Sequence, residues 1–177
     1  VTGNEQQNFQ YLLPFASARF RLKGSQNLNI RYYTGTRIPN LNQLVTIPDN
    51  LNPNSVYVGN PNLTPEYSHT INVNYFTFDP ANSSNIYGGF VVSNTSNRII
   101  NQTIINEDFT TLRTPQNSGF SQRVTMYGGI NRPIKKLKVK VGLYPNIAFN
   151  RYDVFLNTVE SEVFSATYRT RFKIERL

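Results

Sequence analysis

"YSHTINVNYF", residues 67–76, carries the reading of the fold. Tyr67, Ile71, Val73 and Tyr75 share one parity with His69, while Ser68, Thr70, Asn72 and Asn74 share the other. Successive side chains of a strand leave by opposite faces, so a period of two over this length describes a ribbon with one nonpolar and one hydrogen-bonding side.

The same period recurs on both sides of this segment. Toward the C-terminus, Leu137, Val139, Val141, Leu143, Ile147 and Phe149 stand opposite Lys138, Lys140, Tyr144 and Asn146, with Pro145 interrupting the apolar row. Phe164, Ala166, Tyr168, Phe172 and Ile174 stand opposite Ser165, Thr167, Arg169, Arg171 and Lys173. Toward the N-terminus, Ala16, Ala18, Phe20 and Leu22 oppose Ser17, Arg19 and Arg21. Segments 27–36 and 119–131 alternate less cleanly, and in 85–105 the polar "NTSN" at 94–97 breaks the apolar side, so its facing stays open. The sequence therefore predicts about seven strands, at 11–22, 27–36, 66–78, 85–105, 119–131, 137–150 and 162–175.

Their connections differ in length. "KGSQ", "DPANSS" and "NRPIKK" are short turns rich in Gly, Pro, Asn and Ser. Longer polar connections are expected at 37–65, 106–118 and 152–161. Short at one end and long at the other outlines an up-and-down antiparallel sheet whose ends face different surroundings, as in outer-membrane barrels.

Composition agrees with an all-β chain: 177 residues, with Tyr 11 and Phe 12, and no helix-length run of Ala, Leu, Glu and Lys. There is no cysteine, hence no disulfide framework. No apolar run approaches the length of a transmembrane helix, which says nothing against strands that cross by alternation. The chain begins at Val1, without an initiator Met or an apolar leader, and reads as a fragment whose targeting signal lies upstream or is absent.

The net charge of +8 acquires meaning from the faces. Arg19, Arg21, Arg31, Arg123, Lys138, Lys140, Arg169, Arg171 and Lys173 all fall on the polar side of their predicted strands, where only Glu175 clearly joins them. In a soluble sandwich the apolar side would be the core and the basic side would meet water, polyanionic glycan or nucleic acid. In a membrane barrel the apolar side meets lipid and the basic residues line the lumen. Periodicity does not choose between these. Strand length favours the barrel, because several runs span 10 to 14 residues, against the ~5–6 typical of globular strands and the ~9–11 that cross a bilayer.

Just ahead of the opening segment stands "GNPNLTPE", residues 59–66. Pro61 and Pro65 fix their own φ and extend the residues before them, so Gly59, Asn60, Pro61, Asn62, Leu63, Pro65 and Glu66 predict a stiff elbow that returns a long loop to the wall. This stretch resembles the "GNPNLKPE"-type signature of TonB-dependent outer-membrane receptors. "RYYTGTRIPNLNQL" at 31–44 and "YLLPFASARFRL" at 11–22 resemble what precedes that signature in the Bacteroidota outer-membrane β-barrel family.

The resemblance covers roughly residues 9–150. It implies about a third of the C-terminal barrel of a receptor whose complete wall has about 22 strands. Partners implied with it are outer-membrane lipid, the remaining barrel, a plug domain, an energy-coupling protein and a surface lipoprotein. The implied location is the outer membrane and the implied activity is nutrient uptake, with no cofactor. Seven strands would leave two open edges.

Other chemistry is weakly supported. His69 is the only histidine and lies on the apolar side, which leaves no base for a serine nucleophile and points away from an enzyme. Glu107 and Asp108 read as a solvated loop pair, not metal ligands. The glycine pairs in "SNIYGGF" and "MYGGIN" match no phosphate loop and read as strand glycines allowing bend or close packing. Tyr32, Tyr67, Tyr75, Tyr127 and Tyr168 are candidates for an aromatic girdle at the membrane interface. Nucleic-acid binding ranks last, since the positive charge follows strand alternation. A non-transporting barrel of a secretion or structural assembly, and a soluble adhesin or glycan-binding sandwich, remain as alternatives.

Overall fold

The computed structural model describes residues 8–48, 52, 54–157 and 159–176. Its strands are β1 (Phe15–Arg21), β2 (Asn27–Arg37), β3 (Ser55–Tyr57), β4 (Glu66–Asp79), β5 (Ser84–Ile105), β6 (Thr111–Ile134), β7 (Val139–Leu156) and β8 (Val159–Arg176). They form one sheet in the order β1-β2-β4-β5-β6-β7-β8, with β3 pairing β6 off that path. Neighbours along the path are antiparallel. Among the described residues β1 and β8 do not pair, so the sheet is open with two free edges.

Directly paired residues share a face, which makes the register a test of the alternation. One row runs Ala18, Ile30, Val73, Phe90, Met126, Ile147, Tyr168 across seven strands. The adjacent row runs Ser17, Arg31, Asn72, Val91, Thr125, Ala148, Thr167 on the other face. The first row is nonpolar, yet Phe90 is 40% and Met126 42% exposed, and Leu63, in the loop just before β4, is the one buried large hydrophobic residue among those described. No second sheet is layered against Val73, Val141 or Phe172 among the described residues, as the sandwich alternative would need.

The polar face is concave. Two strands apart means about 9–10 Å between backbones, yet the rings of Tyr87 on β5 and Tyr144 on β7 approach to 6.5 Å between centroids. Tyr127 on β6 likewise donates its hydroxyl proton to Asn74 Oδ1 on β4. The two "YGG" segments make this possible. They pair reciprocally, Tyr87 with Gly129, Gly88 with Gly128 and Gly89 with Tyr127, so each ring lies over the glycine opposite. A Cβ at Gly129 would fall within the Tyr87 ring, and one at Gly89 would collide with the Val73 carbonyl and press on Tyr127. The close packing expected of these glycines is aromatic covering.

Several boundaries differ from the expectation. The predicted connection at 106–118 is mostly strand: β6 starts at Thr111, and only a tight turn at 106–110 remains, closed by Asn106 N–H donating to the Thr110 carbonyl at 2.9 Å. The connection at 152–161 is likewise absorbed into β7 and β8. Polar composition misled there because strands that rise out of the apolar zone have no buried side to mark them. The first strand begins at Phe15, not 11. Lys138 is not on β7: it occupies the turn after the 3₁₀ segment Lys135–Leu137, with φ of 52°. Tyr127 lies on the polar face and so is not a girdle residue.

Candidate functional site

Among the described residues, the fully buried large side chains gather at the elbow. Leu63 is 2% exposed, and Pro65, Pro115 and Glu66 are buried near it. The approach is set by a short helix α1 (Leu41–Leu44), whose capping residue Asn40 accepts from Gln43 N–H through its side chain and donates its own N–H to Gln43 Oε1 in return. Past it, Gly59 N–H donates to the Val45 carbonyl at 3.0 Å and Asn60 N–H to the Gln43 carbonyl at 2.7 Å. The loop therefore closes on itself, and Gly59 is where its two limbs cross: a Cβ there would collide with the Val45 backbone. Asn60 Oδ1 accepts from Asn62 N–H at 2.9 Å, a local turn of the kind asparagine favours. Asn62 points outward to solvent.

What the elbow grips is a turned-over hairpin. Asn97 has φ of 53°, in the left-handed region where asparagine is tolerated. Below it the wall runs β4-β5-β6-β7; above it β3 pairs β6 and Thr103 of β5 pairs Leu156 of β7. The β5–β6 hairpin has exchanged its sides. Arg98, which unbroken alternation would place on the apolar face, instead lies over the ring of Tyr152 at 5.0 Å, and Tyr152 pairs with Ser121 on the polar face. The break at "NTSN" is this half-turn.

Three polar elbow residues, Asn60, Thr64 and Glu66, hold the strands of the crossing. Asn60 Nδ2 donates to the Pro115 carbonyl at 3.1 Å. Thr64 N–H donates to Asn117 Oδ1 at 2.8 Å, while Asn117 Nδ2 donates to the Thr64 and Asn97 carbonyls. Glu66 Oε1 accepts from Ile99 N–H at 2.9 Å and faces Arg37 at 3.7 Å. Val58 N–H donates to the Arg113 carbonyl, and Tyr57 beside it has its phenol pushed above the usual range by burial. The signature residues thus brace a chain crossing, and β3, Asn97 and Asn117 belong to the same device. Sequence reasoning missed these three, although "NTSN" was their one visible sign.

The basic residues divide by position. Arg19, Arg21 and Arg31 share the polar face at the β1 side, and Arg123, Lys140, Arg169, Arg171 and Lys173 share it at the β7–β8 side. Lys138 stands apart in its turn. Arg169, Arg171 and Lys173 border a cavity of about 1170 Å³ with Tyr87, Tyr127 and Tyr144. Lys173 also pairs with Glu175 at 2.5 Å. A second cavity of about 480 Å³ lies higher, between β5, β6 and β7, bordered by Arg98 and Arg123.

On the opposite face the apolar band has visible ends. On β7 it runs Val139, Val141, Leu143, Pro145, Ile147 and Phe149 and stops at Arg151, which pairs with Glu162. Ten residues rise about 34 Å along a strand, or about 26 Å at a tilt near 40°, close to the ~25 Å band of outer-membrane barrels. At the same level His69, Asn94 and Gln122 replace the apolar side chains of β4, β5 and β6. Tyr32 and Tyr67 gather there around His69, with Tyr32 hydroxyl 2.8 Å from His69 Nδ1.

A model described as "Outer membrane protein beta-barrel family" matches residues 2–176. The chain belongs to that family. Its members reside in the outer membrane, and an outer-membrane barrel turns its apolar side chains toward lipid, which accounts for a nonpolar band that none of the described residues covers. Among solved structures the fold is similar to the siderophore receptor PirA from Pseudomonas aeruginosa, at TM-score 0.63 and 13% identity. That match covers 92% of this chain and 34% of the receptor, so the chain spans about a third of its length. No curated protein matches the sequence. The outer-membrane barrel family member described here is thus a partial, all-β antiparallel wall.

Proposed function

We propose that this wall belongs to a TonB-dependent-receptor-like importer of the Bacteroidota type, with the polar face enclosing a lumen that a plug domain fills. One observation carries the reading: eight basic residues stand on a concave hydrogen-bonding face while the reverse is an exposed apolar band about one bilayer deep. The remainder of the barrel pairs with β1 and β8, whose open edges are ladders of unmet backbone groups. Nutrient uptake, an energy-coupling protein and a surface lipoprotein follow from the receptor resemblance, and the siderophore receptor neighbour supports them by fold alone. The loop 38–65 and the crossing above Asn97 then stand outside the cell and the turns at 22–26, 80–83 and 135–138 inside the periplasm.

Planar-bilayer conductance of the intact protein tests this. A plugged importer is closed as purified, opens when urea loosens the plug, and closes again on its removal. Conductance from the start marks an open channel, and silence under every condition marks the structural or secretion alternative. Single cysteines in intact cells test orientation: an impermeant maleimide labels positions 40–48 and spares 79–84 if the loop is outside, and the reverse result inverts the barrel.

A further inference from the structure

The upper cavity has a chemistry the family assignment leaves unused. Arg98 reaches it only because the hairpin turns over at Asn97, and its Nη1 is buried without a hydrogen-bond partner among the described residues. Burying a guanidinium donor unmet is costly. Its ring contact with Tyr152 holds the group in place without satisfying its hydrogens. Across the cavity Arg123 spends its Nε on Asn150 Oδ1 at 2.7 Å, and Asn150 in turn donates to Ser165 at 3.3 Å. Apart from Tyr152 and a third guanidinium, Arg151, the rest of the lining is hydroxyl and amide: Ser93, Thr95, Ser121, Gln122, Asn150 and Ser165.

No acid lines this space among the described residues, and three acids near it are engaged elsewhere. Asp153 accepts from Phe120 N–H at 3.0 Å, Glu162 pairs with Arg151, and Glu66 takes Ile99 N–H. Arg151 itself is committed to Glu162 and to the Phe120 ring at 5.5 Å. Two uncompensated cations, one rigidly stacked, beside a row of hydroxyls form a receptor for an oxygen anion, which guanidinium groups bind through paired N–H donors.

We propose that Arg98 and Arg123 bind one oxyanion group, a carboxylate or sulfate, in the upper part of the polar face. The group is supplied either by a solute passing through the lumen or by an acidic side chain from a part of the same protein outside this chain. The proposal rests on the lumen reading and adds to it a charge class for what occupies this level of the wall.

Arginine modification of the intact protein in detergent separates the outcomes, with phenylglyoxal adducts mapped by mass spectrometry and the exposed Arg113, outside this cavity, as internal reference. If a free solute is the source, Arg98 is labelled in buffer, and sodium sulfate suppresses that labelling severalfold while sodium chloride at equal ionic strength does not. If the protein supplies the anion, Arg98 resists labelling until carboxylates are amidated with carbodiimide and glycinamide. Arg123→Gln should remove sulfate protection of Arg98 in the first case and expose Arg98 without amidation in the second. Labelling of Arg98 that sulfate never alters, or resistance that amidation never relieves, overturns the proposal. The lumen reading fails separately, since it is judged by conductance and not by arginine reactivity.

Discussion

Below Asn97 and above it, the same two strands are held by opposite means. The lower wall has no interior of its own: Phe90, Met126, Ile130 and Leu143 are each about two-fifths exposed, and order there comes from backbone ladders with lipid as the nonpolar partner. The upper crossing stands clear of the apolar band and buries Leu63, Pro65 and Pro115 itself, with Asn60, Thr64 and Glu66 tied to Pro115, Asn117 and Ile99. One chain thus uses two solvents, and the change of strategy falls where His69, Asn94, Gln122 and Arg151 end the apolar rows.

The sharpest way to break this contrast is Leu63→Ala. In a packed protein environment removal of a buried leucine costs about 2–5 kcal/mol, and the loss should stay in the crossing. Hydrogen exchange in lipid should show faster amides over 98–118 and unchanged amides over 70–77. Uniform loss across both regions would mean that they fold as one unit.

Phe90→Arg probes the other solvent. An arginine on the lipid side near the bilayer midplane costs about 2–4 kcal/mol, whereas Thr125→Arg, on the polar face one row away, should cost well under half of that. Denaturant unfolding of the intact protein in vesicles measures both. Equal costs would deny that the two faces meet different media.

At the elbow, Glu66→Ala strands the Ile99 N–H and should cost about 1–3 kcal/mol. Glu66→Gln keeps an acceptor and loses only the ion pair with the largely exposed Arg37, worth about 0–1 kcal/mol. If the two variants are equally destabilised, the charge pair and not the capped amide holds the crossing.

The smallest effect is in the 106–110 turn. Asp108 is held below the ordinary aspartate range by the Thr110 hydroxyl and then by the Thr110 N–H, which donates at 3.1 Å. Because the folded pKa lies below the unfolded one, its contribution is complete above the unfolded pKa and fades as pH falls through the folded value. Carboxyl NMR titration should place Asp108 below an exposed reference aspartate, and Asp108→Asn should leave stability at neutral pH nearly unchanged while removing that acid dependence.

The alternation in 67–76 and its repeats determined a great deal: an all-β chain, antiparallel neighbours, two chemically distinct faces, and the polar facing of eight of the nine basic residues assigned to it, half of the chain's eighteen. Those features are legible because a period of two is local, and each residue declares its face relative to the next. Lys138 escaped because a left-handed turn residue continues the parity of a strand it does not belong to. The elbow was visible as rigidity, since proline and glycine constrain the chain wherever they stand, but its grip on Pro115, Asn117 and Ile99 joins residues more than 30 positions apart. Only the tertiary structure decided that the hairpin turns over at Asn97 and that Arg98 stacks, half-buried, on Tyr152. A reversal of facing comes from one backbone dihedral and from which neighbour stands alongside, and neither is encoded in the spacing of polar and apolar residues.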